Sequence, residues 1–227
     1  MAKFCTNCGK ELKDGEKCDC TPSIISNDNV QKLLDLCKGM FVKPIDTMKE
    51  FAKKSNFTLA MILVGILSVV AGLFAMSLLK NAYSMVLGSA GMGLYSYGSM
   101  SMDIPYARTF FTVLIVLFVL SFIYTGVLYL VNTKIFKRNV DFKEVYALYG
   151  VTSIVASVSL LVGTILMFLN VTFAFVIVML GLMLYSVYNY HGIKFLGEKD
   201  ENKYGYIYLT TSVIFYIVIF VITKVLS

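Results

Sequence analysis

Tryptophan is absent from the 227 residues, histidine occurs once, and charged residues make up only 15%. Each shortage removes a class of function. The lone histidine, His191, cannot build a catalytic triad without a nucleophile and an orienting acid. Its setting, Tyr188-Asn-Tyr-His-Gly, reads instead as an interfacial position beside an aromatic belt of Tyr185, Tyr188 and Tyr190. The low charge argues against a water-soluble globule. Such domains carry about 25% charged and 45–50% apolar residues, whereas this chain is 58% hydrophobic with a mean hydropathy of +0.75. No phosphate-binding glycine loop, metalloprotease helix or pair of acids near a membrane face is found, and no enzyme is expected. No secretory leader is visible either: Met1-Ala-Lys-Phe-Cys is polar, so the first apolar run is expected to act as its own signal anchor.

What the chain has is long apolar runs. A membrane span needs roughly 20 apolar residues to cross a hydrocarbon core of about 30 Å. Five are predicted: Phe57 to Leu79, Arg108 to Asn132, Val145 to Leu169, Val171 to Tyr190, and Tyr206 to Leu226. The third and fourth are separated only by Asn170 and its neighbours, which implies a tight helical hairpin. The fold class expected is all-α: a five-helix transmembrane bundle preceded by a small four-cysteine zinc ribbon. Three segments follow, with the ribbon at 1–22, a linker and amphipathic juxtamembrane helices at 23–56, and the five-span domain at 57–227.

Loop charge orients the spans, because Lys and Arg are retained on the cytoplasmic side. One side carries Lys43, Lys49, Lys53 and Lys54, then Lys134, Lys137, Arg138 and Lys143, then Lys194, Lys199 and Lys203. The other carries only Lys80, Arg108 and Lys224. A cell-membrane protein with its N-terminus in the cytoplasm and its C-terminus outside is predicted. The apolar cores contain no Asp, Glu, Lys or Arg, and proton or ion relays usually need such groups. Ser68/Gly72, Ser153/Ser157 and Ser159/Gly163 recur four residues apart, with Gly150 and Gly181 nearby, a pattern that suits close helix packing. The same faces would serve contacts between copies, which leaves a homo-oligomer open.

The N-terminal tail carries Cys5-Thr-Asn-Cys8-Gly and Cys18-Asp-Cys20. Two short cysteine turns brought together by a hairpin offer zinc four thiolates in a tetrahedron. Cys5, Cys8, Cys18 and Cys20 are therefore the expected ligands of a structural Zn2+, although the second pair is tighter than the usual Cys-x-x-Cys. Two disulfides, disfavoured in a reducing cytoplasm, or four unrelated thiols are the alternatives. A unit of this size cannot build an adequate apolar core, so a metal is its natural staple. Four cysteine ligands leave no open coordination position, and Cys37 stands apart as a buried thiol. Nucleic acid is not an expected partner: Lys3, Lys10, Lys13 and Lys17 are balanced by Glu11, Asp14, Glu16 and Asp19.

Between tail and first span, Val30, Leu33, Leu34 and Cys37 fall at helical spacing. A second helix is predicted after Pro44, with Ile45, Met48, Phe51 and Ala52 on one face. This second helix reads as interfacial, its lysines toward anionic headgroups. A short helix packed on protein is the alternative. The segment Lys80 to Tyr106 is rich in Gly, Ser, Met and Tyr and reads as a flexible or partly re-entrant outer loop, a place for an external partner to dock. Its thioethers Met100 and Met102 are soft ligands, but two without His or Cys make a weak copper site.

Two segments carry a family resemblance. Phe41-Val-Lys-Pro-Ile-Asp-Thr-Met-Lys-Glu-Phe resembles the stretch leading into the first span of bacterial Yip-domain membrane proteins, where a Pro and a downstream Thr precede that span. Phe142-Lys-Glu-Val-Tyr-Ala-Leu-Tyr-Gly-Val-Thr-Ser resembles the family's Tyr-Gly-x-x-Ser element at the opening of the third span. The resemblance runs from about Val30 to the end, and a zinc ribbon ahead of such a domain is a recognisable bacterial arrangement. Eukaryotic members bind Rab-type GTPases and act in vesicle traffic, and some shape membranes. Their Asp-Leu-Tyr-Gly-Pro element is not found here, so the resemblance implies an architecture more than a partner. The expected function is a non-enzymatic scaffold or adaptor in the lipid bilayer, its ribbon contacting a cytoplasmic protein. A transporter or channel component, or a zinc- or redox-responsive sensor, are the alternatives.

Overall fold

The computed structural model describes residues 3–4, 11–12, 27–54, 56–90, 105–196 and 203–226. The chain forms two compact units, Met1–Asp35 and Leu36–Ser227. In the first, strands β1 (Lys3–Phe4) and β2 (Glu11–Leu12) pair antiparallel, Lys3 opposite Leu12 and Phe4 opposite Glu11. Helix α1 (Asn27–Val42) begins in this unit and ends in the second.

The second unit is all-helical among its described residues. Helix α2 (Pro44–Lys54) starts at a proline, whose missing N–H costs nothing in a first turn. The Thr47 hydroxyl donates to the Lys43 carbonyl at 2.8 Å, and the side of Thr47 lies against Gly39. On the solvated side Lys54 Nζ donates to Glu50 Oε1 at 2.6 Å, which holds the Glu50 carboxyl below the ordinary carboxylate range. The apolar face does not meet lipid. Met48, Phe51 and Ala52 are buried, and α2 packs on α5 and α6. The interfacial reading of this helix is thus corrected to the protein-packed one, with only Ile45 of the four left exposed.

Five long apolar helices follow: α3 (Phe57–Ala90), α4 (Tyr106–Leu130), α5 (Phe142–Leu166), α6 (Val171–Ile193) and α7 (Tyr204–Leu226). All five are long and apolar enough to cross a membrane. Helix α3 runs well past the predicted end at Leu79, so residues 81–90 are helical rather than loop. At 1.5 Å per residue it measures roughly 50 Å and exceeds a bilayer core of about 30 Å. Helix α4 continues into a π-helical turn, Val131–Ile135. Asp141 and Asn170 cap α5 and α6, the Asn170 side chain accepting from the Phe173 N–H at 3.0 Å. The turn at residues 167–170 is the tight hairpin expected.

Contacts set the directions. Ala60 meets Gly150 and Phe74 lies near Gly163, so α3 and α5 run parallel. Val178 against Gly163 and Leu148 against Gly192 make α6 antiparallel to α5. Phe122 against Tyr146 with Tyr129 against Phe142 makes α4 antiparallel to α5, and Tyr124 against Phe215 with Arg138, beyond the end of α4, over Tyr204 makes it antiparallel to α7. The starts of α3, α5 and α7 and the ends of α4 and α6 therefore share one end. That end carries Lys134, Lys137, Arg138, Lys143, Lys194 and Lys203, and is called the lysine-rich end below.

Helix α5 is the axis of the bundle. Of its most apolar stretch 72% is buried, and 56% of that of α3, against 17% for α4 and 11% for α6 and α7. The outer three accordingly present Phe111, Ile115, Met179, Met183, Ile217 and Phe220 outward, as lipid-facing helices should. Near the lysine-rich end, Tyr146 is fully buried with Phe57 and Phe122 ring centroids at 4.9 Å. At the other end Phe74, Met167, Ala174 and Val178 form a second cluster.

A candidate polar seam and lateral cleft

The hydrocarbon core offers no water to polar groups, so each one inside the bundle needs a partner or a purpose. Most hydroxyls are tied to their own helix. Ser68, Ser157 and Thr164 donate to carbonyls four residues back, and Ser153 and Ser159 to carbonyls three back. Such local bonds leave the small side chains free to serve as contact surface. A Cβ on Gly150 would lie 2.7 Å from Ala60 Cβ and 2.8 Å from Ala60 Cα, so only glycine allows α3 and α5 this approach.

Two polar constellations are not local. The first joins α5 to α6. The Thr152 hydroxyl lies 3.1 Å from Asn189 Oδ1, and both residues are buried. Asn189 Nδ2 donates to the Tyr185 carbonyl at 2.9 Å. Beside this pair, one stripe from each of three helices surrounds a cleft of about 290 Å³, with α5 closing its back. Leu117, Leu120 and Tyr124 come from α4, Tyr149 from α5, and Tyr185, Ser186 and Asn189 from α6. Helix α7 contributes Tyr208, Ser212, Phe215 and Tyr216. The spacing in α7 (i, i+4, i+7, i+8) is that of a single helix face. Rings line the wall: Tyr124 stands 5.5 Å from Tyr149 and 5.3 Å from Phe215, and Tyr149 stands 6.3 Å from Tyr185. Ser186 and Tyr216 are exposed, so the cleft opens sideways toward lipid.

The second constellation caps the lysine-rich end. Arg138 follows the π-helical turn and Lys137, whose φ of 51° turns the chain back. Its guanidinium is buried, donating to Asn132 Oδ1 at 2.8 Å and to the Leu196 carbonyl, and its central carbon lies 5.2 Å from the Tyr204 ring centre. Asn132 Nδ2 in turn donates to the Leu128 carbonyl at 2.8 Å. One planar fork thus ties the α4–α5 connection to the segment between α6 and α7, a task suited to arginine rather than lysine. Arg138 counts in the sequence as one loop charge among many. In the fold it is a buried staple.

The predicted ligands Cys5, Cys8, Cys18 and Cys20 lie outside the described residues, as do Met100 and Met102. Cys5 and Cys8 fall in sequence between the paired strands β1 and β2. Among the described residues no group of three or more His, Cys, Asp or Glu is arranged to hold a metal. Cys37 is half-buried, and burial pushes its thiol above the ordinary range. His191 is half-buried with its ring 5.6 Å from that of Tyr190, and Lys194 Nζ lies over the same tyrosine, 5.7 Å from the ring centre. Tyr185, expected in a surface belt, instead lines the cleft. The sequence does carry a signal for the cleft. Tyr124, Tyr149, Tyr185 and Tyr208 each stand about one to two turns inside the same end of their helices, deeper than a headgroup belt.

Comparison with known families gives a match to the family model described as Yip1 domain over residues 38–223. No curated protein and no solved structure matches the chain.

Proposed function

Because the chain belongs to the Yip1-domain family, a multi-pass membrane architecture of five spans is its premise, and we propose that it works as a non-enzymatic membrane scaffold or adaptor. In this reading the lysine-rich end faces the cytoplasm of a cell membrane, the first span leaves it and the C-terminus lies outside. The N-terminal segment is a zinc ribbon held by Cys5, Cys8, Cys18 and Cys20, and it contacts a cytoplasmic protein. The observation that carries the reading is the collection of lysines from three separate connections at one end, against only Lys80, Arg108 and Lys224 toward the other. The ribbon rests on the spacing of its cysteines and on the short paired strands that bracket the first pair.

The test is metal analysis of the detergent-purified protein beside a variant with all four tail cysteines changed to serine. About one zinc per chain, absent from the variant, is expected. Cells expressing the protein with single reporter cysteines at Lys143 and Lys224 would give the orientation. Labelling by an impermeant reagent at residue 224 and not at 143 is expected, and the reverse would overturn it. A transporter would instead give solute flux in proteoliposomes that survives deletion of residues 1–28. A sensor would give a change in reporter-thiol reactivity within the bundle on chelation.

A further inference from the structure

We infer that the tyrosine-lined cleft between α4, α6 and α7 is a binding site for one ester-linked glycerophospholipid from the leaflet at the lysine-rich end. The inference does not depend on the scaffold reading or on which side of the membrane that end faces.

Access comes first. The cleft opens between the three helices whose surfaces are the most exposed and apolar, so a molecule enters it from within the bilayer. Depth comes second. Along α7 the lining runs from Tyr208 to Tyr216, beginning about one turn inside the helix start at Tyr204. At about 1.5 Å per residue that places it roughly 6–18 Å from the lysine-rich end of the helix. Helix α7, roughly 35 Å long, exceeds a hydrocarbon core of about 30 Å, so its start at Tyr204 stands in the headgroup layer, about 5–7 Å thick; Tyr208 then falls at the level of the ester groups and Tyr216 among the acyl chains of that leaflet. Size is third. A cleft of about 290 Å³ lies at the low edge of ligand pockets, roughly 300–1,000 Å³, and so holds that section of a lipid rather than the whole molecule.

Polarity decides the chemical class. Among the described residues no Asp, Glu, Lys, Arg or His lines the cleft. Its serines and amide are already engaged: Ser186 donates to the Leu182 carbonyl at 3.0 Å, Ser212 to the Tyr208 carbonyl at 2.9 Å, and Asn189 to Tyr185. The phenols of Tyr124, Tyr208 and Tyr216 have no hydrogen-bond partner among the described residues. Neutral donors without a partner, in a medium without water, match neutral acceptors, and an ester carbonyl is the acceptor that the bilayer supplies at this depth. The aromatic wall continues outward, with Tyr208 5.9 Å from Tyr190 and Lys194 over Tyr190, which sets a cation on the path toward a lipid phosphate.

Native mass spectrometry of the full-length protein, delipidated in detergent and titrated with phosphatidylglycerol, reads the site directly. One lipid per monomer should bind ahead of a weaker, unsaturated series. An ether-linked phosphatidylglycerol, which lacks the carbonyls, should bind about two- to tenfold more weakly, the range of one hydrogen bond. Tyr208→Phe, which keeps the ring and removes the hydroxyl, should weaken the ester lipid by a similar factor and leave the ether lipid unchanged. Ser212→Phe, which fills the cleft, should abolish the first adduct. Equal binding of ester and ether lipids by the natural protein overturns the assignment. So does a first adduct that survives Ser212→Phe in a protein with an unchanged melting temperature. A lipid-free dimer that Ser212→Phe dissociates would also overturn it, and would assign the cleft to a second copy of the chain.

Discussion

Replacing Gly150 by alanine sets two known effects against each other with different signs. Alanine is the better helix former by about 1 kcal/mol in a helix interior, so propensity alone predicts stabilisation. Packing predicts the opposite. The new Cβ would meet Ala60 Cβ at 2.7 Å, Ala60 Cα at 2.8 Å and the Ala60 carbonyl oxygen at 3.0 Å. Two of these atoms are backbone and cannot rotate away, so α3 and α5 must part along their most intimate contact. Overpacking of this kind costs about 1–3 kcal/mol, and more where no side chain can yield. A net loss of about 1–2 kcal/mol is expected, which for a chain of this length lowers the melting temperature by about 2–4 °C per kcal/mol. Thermal unfolding in a fixed detergent, followed by circular dichroism or by thiol exposure, measures it. Gly65→Ala and Gly126→Ala are the internal controls. A Cβ there meets nothing within 4 Å, so both should be neutral or slightly stabilising. In the double variant Ala60→Gly with Gly150→Ala, removal of the nearer Cβ should return part of the loss and give a coupling of about 0.5–3 kcal/mol. The reasoning fails if Gly150→Ala unfolds at the same temperature as Gly65→Ala.

Three other expectations concern the polar groups. Arg138→Met leaves the Asn132 Oδ1 and Leu196 carbonyl acceptors buried without this donor, and should lower stability by about 1–3 kcal/mol for each unsatisfied group; Arg138→Lys should recover less than half, measured by the same melts. Thr152→Val removes the hydroxyl beside Asn189 Oδ1 and should cost about 0.6–1.7 kcal/mol, the range for polar contacts between membrane helices; no change would mean that Asn189 is satisfied without it. In a protein with the four tail cysteines changed to serine, Cys37 should react slowly with a maleimide at neutral pH. The thiolate is the nucleophile and burial raises the thiol pKa, so the rate should keep climbing at pH values above those at which an ordinary thiol, with a pKa of about 8.5, has levelled off. A rate equal to that of a free thiol at every pH would contradict the burial.

The spans are legible because their signal is one-dimensional. A run of apolar residues long enough for a bilayer is visible without knowing what it touches, and Asn170 and the lysine-bearing connections mark where such runs stop. Even so, hydropathy ends the first span too early. Residues 81–90 carry Asn81, Ser84 and Gly88, which weaken hydropathy without breaking a helix, and a helix can leave the membrane without ending. Helix α2 shows the converse. Its pattern puts Met48, Phe51 and Ala52 on the apolar face, as found, but such a face is satisfied equally by lipid or by protein, and only α5 and α6 decide in favour of protein.

The Gly and Ser spacing points to packing residues, and Gly150 against Ala60 shows the geometry behind that pattern. The sequence shows the cleft tyrosines only as phenols set deeper than a headgroup belt, and Arg138 only as one loop charge. Their meaning depends on residues far away in the chain: Leu196 stands 58 positions from Arg138 and Asn189 37 positions from Thr152. Sequence by itself determined that this chain holds five apolar helices long enough to cross a membrane, with most of its loop lysines toward one end, because both properties are sums over local composition. The tertiary structure alone decided that α5 lies at the centre, that one arginine of that basic end is buried as a staple, and that phenols from four helices face one another across a cleft. Those outcomes turn on which helix faces meet, and a side chain's partner across a bundle leaves no mark on its own neighbours in sequence.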